Sequence, residues 1–471
     1  MAIWQWSAGE TAEKIRRREI SCVEVTQAHL ERLDLVNPVL NAVVVPLYEQ
    51  ALAQARELDA RRHQFDQLPP LYGVPVTIKI NVDQAGQANS DGVAAYRDQI
   101  ASEDAPVVAN LRRDGAVILG QTNTPEFSIR WFTSNPLHGA SLNPWNAGLT
   151  PGGSSGAAAA AVAAGIGCIA HGNDMGGSLR HPAYCCGVTT IRPSFGRIAN
   201  GNPSATGGRP PVSQLLSVQG PIARSVADVR LGLDSMARRS ALDADWTPAR
   251  DSGRLRQGPL RVAFQLDPFG DGVAPGVELA MRQAREALLA AGHQVEEVAL
   301  PDAAEAAALW GRVTMAEVAA LFQSEMDRNG SSELVATVKA YGEHFGPVGL
   351  EQVMRDLQAR NRIRRAWNQL FERHDLVLLP VSAELAFPNE LDFRQPDQIP
   401  RLLRAQRFSY LVNLLGLPSV ALPTGLLDGV PLGVQLIGAQ LDDDCCLQGA
   451  QAIESQLGTL TRQLWQQGIA A

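Results

Sequence analysis

Histidine and cysteine are scarce in this chain of 471 residues, and neither is arranged to hold a metal or a disulfide scaffold. The six cysteines (Cys22, Cys168, Cys185, Cys186, Cys445, Cys446) include adjacent pairs but no Cys-x-x-Cys spacing. Six in a chain this long fit a reducing cytoplasm, the expected location. The eight histidines are scattered, with no His-x-x-x-His, and none follows His374. No metal and no cofactor are therefore expected. Positive charge is also short. The net charge of −8 and the lack of a basic stripe argue against a nucleic-acid partner. No apolar run is long enough for a membrane span. The longest weakly polar stretch, Gly156 to Ala170, is Ala/Gly-rich and reads as a buried helix. The opening MAIWQWSAGETAEKIRRR has no apolar segment behind a basic head, so no secretory signal is read there.

What the chain does have is an alternation of helix and strand patterns, punctuated by glycine and proline. Apolar residues recur at helical spacing from Thr11 to Leu35, with Asn37-Pro38 expected to close that helix. Helices are also expected from Pro46 to Arg61, over Ala105–Arg113, and from Pro275 to a stop at Gly292. Val74–Ile80, Ala116–Gly120, Leu260–Phe264, His293–Leu300, Leu376–Leu379 and Pro431–Ile437 read as strands. Pro193–Ser213, Arg239–Pro259 and Phe387–Pro400 read as loops, and none separates two cores. There is no internal repeat. The alternation predicts one large α/β domain on a largely parallel or mixed sheet.

Two glycine–serine stretches carry the chemistry. Gly152-Gly153-Ser154-Ser155-Gly156 opens into Ala157–Ala164, a strong helix former. A Gly-rich turn at a helix start presents free N–H groups and a positive dipole end. No Gly-Lys-Ser/Thr follows, so it is not a P-loop. In Asp174-Met175-Gly176-Gly177-Ser178-Leu179-Arg180, two glycines before a serine let backbone N–H groups turn toward one point, as an oxyanion requires. Upstream, Lys79 lies among Val76, Ile78 and Ile80. Serving as a base near pH 7 would need its pKa lowered by roughly 3 units from ~10.4, which burial can supply. Two serines and a neutral lysine perform acyl transfer without histidine. The rival pattern Gly-x-Ser-x-Gly at Ser154 needs a strand directly before it and a late histidine. Asn143–Gly148 reads as a loop and the histidine is missing.

The chain resembles the amidase signature family of serine hydrolases over nearly its whole length. The resemblance runs through Gly73–Lys79, Gly120–Phe127, Asn143-Pro144-Trp145, both Gly-Ser stretches, Cys186-Gly187-Val188 and Arg192–Arg197. It continues through Gly220–Ser225, Gly416-Leu417-Pro418 and Gly433–Gly438. It implies a single domain over residues 1–471, with a central mixed β-sheet flanked by helices on both faces. Within it, about 70–225 would be the signature core, about 240–400 variable insertions and about 405–471 the C-terminal part of the core. It also implies a Ser–cis-Ser–Lys triad: Ser178 as nucleophile, Ser154 as bridging serine after a cis Gly153–Ser154 bond, Lys79 as base. Backbone N–H groups of Met175, Gly176, Gly177 and Ser178 would form the oxyanion hole. Ser155, Asp174 and Arg180 would support the loops. The chain departs from the family pattern at Ile80, Ala157, Asn173, Met175 and Ser194, and none of these removes a triad member. His171-Gly172-Asn173-Asp174 is similar to the matching stretch of enzymes acting on nylon-type cyclic amides.

The implied activity is hydrolysis of a neutral, partly apolar amide or carbamate by a monomer or homodimer, with no partner beyond the small-molecule substrate. Phe127, Trp131, Phe132, Leu137 and His181 are candidates to line the substrate pocket. Ordinary core packing would also account for the aromatics and Leu137. The alternatives are the A chain of a tRNA-dependent amidotransferase, an esterase- or urethanase-leaning member of the family, and a non-catalytic homologue.

Overall fold

Strand and helix alternate as expected in the computed structural model, which describes residues 2–205, 207–249 and 255–469. Thr206 and residues 250–254, inside two of the expected loops, lie outside the described residues. The strands are β1 (Val43–Pro46), β2 (Pro75–Lys79), β3 (Val117–Thr122), β4 (Ser134–Asn135), β5 (Gly139–Ala140), β6 (Ile169–Asp174) and β7 (Thr189–Arg192). They continue as β8 (Val218–Ala223), β9 (Arg261–Phe264), β10 (Gln294–Glu297), β11 (Leu376–Leu379), β12 (Ser419–Leu427) and β13 (Val430–Gly438). Among the described residues, eleven form one sheet in the order β1-β3-β2-β6-β8-β7-β12-β13-β11-β9-β10. The sheet is mixed: β2 runs parallel to β3 and β6, while β8, β7, β12 and β13 pair antiparallel.

Helices cover both faces because the central strands are apolar on both. Every residue of β2 and β3 is buried, as in parallel strands covered above and below. Val76 and Ile78 face a layer containing the helices Pro106–Arg113, Val226–Met236 and Asp443–Leu457. Val117, Leu119 and Ala170 face the helices Cys22–Leu40, Tyr48–Arg61 and Gly156–Ala164. The last of these is buried at all nine positions, which only small alanines allow so close to the sheet. β2 and β6 are parallel neighbours, so Lys79 and Asp174 end their strands on the same sheet edge. The C-terminal edge of parallel strands is where α/β folds place ligands.

Several expected boundaries move. The helix expected over Thr11–Leu35 is two helices, Ala8–Arg16 and Cys22–Leu40, broken where Arg18 turns left-handed (φ 62). The second starts at a capping box of Ser21 and Glu24, a signal present in the sequence. Asn37-Pro38 does not close it. The helix carries Pro38 in its last turn and stops at left-handed Asn41, while the Asn37 side chain binds Ala42 and Val43 beyond the end. The helix expected over Gly156–Ala170 ends at Ala164. Gly165 (φ 90) and Gly167 (φ 74) turn the chain into β6. The expected loop Phe387–Pro400 holds the helix Leu391–Arg394 and the start of Ile399–Ala405. The expected loop Pro193–Ser213 likewise ends inside the helix Pro211–Leu216.

Candidate active site

Lys79 ends β2 with its side chain wholly buried, its Nζ donating to Ser154 Oγ at 2.6 Å and to Asn173 Oδ1 at 2.7 Å. Burial lowers its pKa from the usual lysine range to about 7, against the opposing pull of the Asp91 and Asp174 carboxylates. The backbone N–H of Lys79 points at His171 Nδ1 (3.4 Å), whose Nε2 lies 2.7 Å from Gln219 Oε1. That arrangement places the histidine proton on Nε2. Burial lowers the His171 pKa to about 4, so the ring stays neutral beside the lysine.

The first glycine–serine stretch is shaped by close approach. A Cβ on Gly153 would lie 2.5 Å from the Trp131 carbonyl carbon, and one on Gly152 (φ 84) would lie 2.6 Å from Pro182 Cα. The Gly153–Ser154 peptide bond is cis. Thr133 Oγ1 donates to the Gly152 carbonyl (2.8 Å) and accepts from Gly156 N–H (3.2 Å), clamping both ends of the turn. Ser155 joins the two stretches, its N–H donating to the Ser178 carbonyl (3.3 Å) and its Oγ to the Asn173 carbonyl (3.4 Å).

Asp174 organises the second stretch. Its carboxylate accepts from Gly177 N–H (2.9 Å), Leu179 N–H (3.2 Å), Arg180 Nε (3.1 Å) and Asn413 Nδ2 (2.8 Å). Burial alone would raise its pKa. The Arg180 and Arg192 guanidinium groups outweigh that and hold it well below the usual carboxylate range. Arg180, equally buried, also reaches Gln435 Oε1 (2.8 Å) and Asn413 Oδ1 (2.6 Å).

This geometry corrects one expectation. The Gly177 N–H is engaged by Asp174, so it is not free for an oxyanion. Among the described residues, the N–H groups of Met175, Gly176 and Ser178 donate to no protein acceptor. Ser178 is 7% exposed. Its hydroxyl and that of Ser154 share no hydrogen bond, so the structure joins Lys79 to Ser154 directly and Ser178 to them through backbone.

The expected pocket residues divide. Trp131 and Phe132 line a cavity of about 40 Å³ together with Trp310, Tyr341, Phe345 and Tyr410. The His181 ring lies outside this lining, 5.4 Å from that of Trp131 and 6.4 Å from that of Phe387. Burial lowers its pKa to about 3. Phe127 packs instead in a separate cluster with Met315 and Phe322, against the Tyr96 ring. Leu137 is half-buried between β4 and β5 and does not line the cavity.

Sequence reasoning missed three features. Trp310 stacks on Tyr410 (3.8 Å, 5°) and donates Nε1–H to the Met175 carbonyl (2.8 Å). Its ring covers Gly176, where a Cβ would lie 2.7 Å from Cζ2. The second is a hydrogen-bonded chain leading away from Lys79. It passes through Asn173, Asn81 (2.9 Å) and Ser128 (2.9 Å) to Asp91 (2.6 Å). Desolvation raises the Asp91 pKa to about 7. Asp91, Phe127 and Ser128 all hold left-handed backbone, a conformation that few non-glycine residues adopt. Asp91-Gly92 signals a turn and nothing more. The third is Arg130, fully buried in a two-pronged pair with Asp392 (2.7 Å each), which ties residues 391–405 to the segment before the first serine stretch.

A buried lysine hydrogen-bonded to a serine, beside a second serine with free backbone donors, defines a serine hydrolase that works without histidine. The Amidase family profile matches residues 24–447. The indoleacetamide hydrolase of Bradyrhizobium diazoefficiens is 44% identical, covering 98% of this chain and 89% of that protein. The A chain of the glutamyl-tRNA(Gln) amidotransferase of Roseiflexus castenholzii is 33% identical, over 96% of each chain. Among solved structures, 6-aminohexanoate cyclic dimer hydrolase with its substrate superposes with a TM-score of 0.83 at 30% identity, over 98% of this chain and 100% of that one. The chain belongs to the Amidase family and hydrolyses carbon–nitrogen amide bonds. Among the described residues, no helix is long and apolar enough to cross a membrane.

Proposed function

We propose that this chain hydrolyses a neutral primary amide whose acyl group carries an aromatic ring, of the indoleacetamide type, through an acyl-enzyme on Ser178. The observation that carries the mechanism is the buried Lys79 Nζ at 2.6 Å from Ser154 Oγ. Neutral Lys79 accepts the Ser154 proton as Ser154 accepts that of Ser178, and Ser178 Oγ attacks the amide carbon. The oxyanion meets the N–H groups of Gly176 and Ser178, with Met175 beside them. Collapse breaks the C–N bond, and the relay returns the proton to nitrogen, which leaves as ammonia. Water then attacks the acyl-enzyme by the reverse path and releases the carboxylate. Asp174, Arg180 and Ser155 hold the loops and touch no reacting atom.

Aromatic walls beside both serine stretches support an aryl acyl group, as does the activity in the name of the 44% identical relative. We infer a cytoplasmic enzyme acting as a monomer or homodimer; six unpaired buried cysteines suit a reducing compartment. The amidotransferase relatives keep one other reading open, a component of a larger enzyme that transfers ammonia. Ammonia release from indole-3-acetamide and other arylacetamides, aniline release from anilides, and alcohol release from carbamates and esters, measured on the purified chain, separate the two. Turnover of arylacetamides without a partner supports the hydrolase. No turnover of any amide would overturn it.

A further inference from the structure

The cavity beside the serine stretches contains polar groups that nothing in the protein satisfies. Gln406 joins the helices Ile399–Ala405 and Arg407–Leu415 and is 1% exposed. Its Oε1 and Nε2 both lie buried without a hydrogen-bond partner while the residue lines the cavity. Thr314 Oγ1, on another wall, is buried and unpaired as well. Buried amide and hydroxyl groups are nearly always hydrogen-bonded, because stranding one costs as much as a lost bond. Two such residues in one cavity imply a guest that satisfies them. The remaining walls state the guest's shape: Trp131, Trp310, Tyr410, Tyr341 and Phe345 present flat apolar faces. The cavity adjoins the reacting centre, because Trp310 covers Gly176 and the Trp131 backbone touches Gly153.

We propose that this cavity receives the acyl side chain of the substrate as a flat aromatic ring with a hydrogen-bond donor on its edge, such as an indole N–H, and that Gln406 reads that donor through Oε1. This rests on the amide-hydrolase reading and names the residue that sets its specificity. Thr314 Oγ1 offers a second polar contact from another wall. About 40 Å³ is less than a bicyclic ring needs, so the ring enters as a wall moves. Met315, unbranched and half-buried at the same cavity, is the side chain best able to give way. A site built to bond a polar edge rejects an isostere lacking it far more strongly than an apolar slot rejects a small change of shape.

The test compares indole-3-acetamide with its sulfur isostere, 1-benzothiophene-3-acetamide, on the wild-type chain and on Gln406→Leu and Gln406→Met. The wild type is expected to favour the indole in kcat/KM by about 10- to 100-fold. Both variants are expected to lose that preference, the indole amide falling to the rate of the benzothiophene amide. Equal wild-type rates on the two amides, a comparison needing no variant, would overturn the proposal and leave the hydrolase reading standing. So would variants that slow both amides alike. Calorimetric titration with indole-3-acetamide reports the pocket separately from the chemistry. If no amide is turned over, binding retained by the wild type and lost in Gln406→Met upholds the pocket while the hydrolase reading falls. No binding to either protein overturns the pocket too.

Discussion

The Lys79, Asp174 and Arg180 side chains are buried and hydrogen-bonded within the protein, whereas the side-chain polar atoms of Gln406 and Thr314 are buried and bonded to nothing. The first region comes from strand ends and glycine turns between residues 79 and 180, closed by Asn413 and Gln435. The second draws on the helices Ala303–Glu317, Ser332–Phe345 and Arg407–Leu415, far from the serine stretches in the chain, together with Trp131 and Phe132. A relay must keep its geometry before substrate arrives, so its polar atoms find partners inside the protein. A pocket that recognises a ligand leaves its polar atoms for the ligand. The contrast separates where the bond breaks from what decides which bond it is.

The comparison breaks most sharply at the nucleophile. Ser178→Ala is expected to lower kcat by about 10⁴-fold or more while thermal unfolding stays unchanged, and Lys79→Ala to lose as much activity. Ammonia release and labelling by a fluorophosphonate measure this, and a labelled, active Ser178→Ala would remove Ser178 from the mechanism. Next comes the tie between the regions. Arg130→Met strands the buried Asp392 carboxylate and should cost about 3–5 kcal/mol in denaturant unfolding.

pH then tests the relay side alone. In the proposed mechanism Lys79 acts as a neutral base, and its folded pKa of about 7 means it charges as pH falls below that value. The rate kcat/KM should therefore drop about tenfold per pH unit on the acid side of 7. A flat profile from pH 5 to 8 would refute the lysine as base. The smallest effect belongs to Asp91. Its carboxylate favours the charged form of Lys79, and Asp91→Asn keeps an acceptor for Ser128 while removing the charge. The acid limb should move to lower pH by on the order of one unit. An unmoved limb would show that the chain of hydrogen bonds from Lys79 to Asp91 carries no electrostatic coupling.

The relay side was largely legible because its signals are local. Gly152 and Gly153 stand where backbone approaches too closely for a Cβ, and Gly177 where the Ser409 side chain does; such glycines cluster visibly in sequence. Val74 to Ile80 announced a buried strand with a lysine on it, and the structure keeps both features over Pro75–Lys79. Asp174 was legible as a support, but its use of the Gly177 N–H was not, since that depends on how the turn closes. The residues expected at the pocket divide. Trp131 and Phe132 line the cavity, while Phe127 and Leu137 pack elsewhere, because short stretches before the first serine face opposite sides of the chain. Trp310, Thr314, Tyr410 and Gln406 gave no sign at all, lying on or between amphipathic helices that look like ordinary core.

Sequence alone determined the hydrolytic class and the α/β architecture, and singled out Lys79, Ser154 and Ser178 as the proposed triad. Those rest on contiguous residues whose backbone conformations few other side chains tolerate. Tertiary structure alone decided which N–H groups stay free for an oxyanion, that Asp91 sits at the end of the lysine's hydrogen-bonded chain, and that Gln406 and Trp131 line one cavity. Each of these is a meeting of segments distant along the chain, and packing leaves no local mark on the residues it brings together.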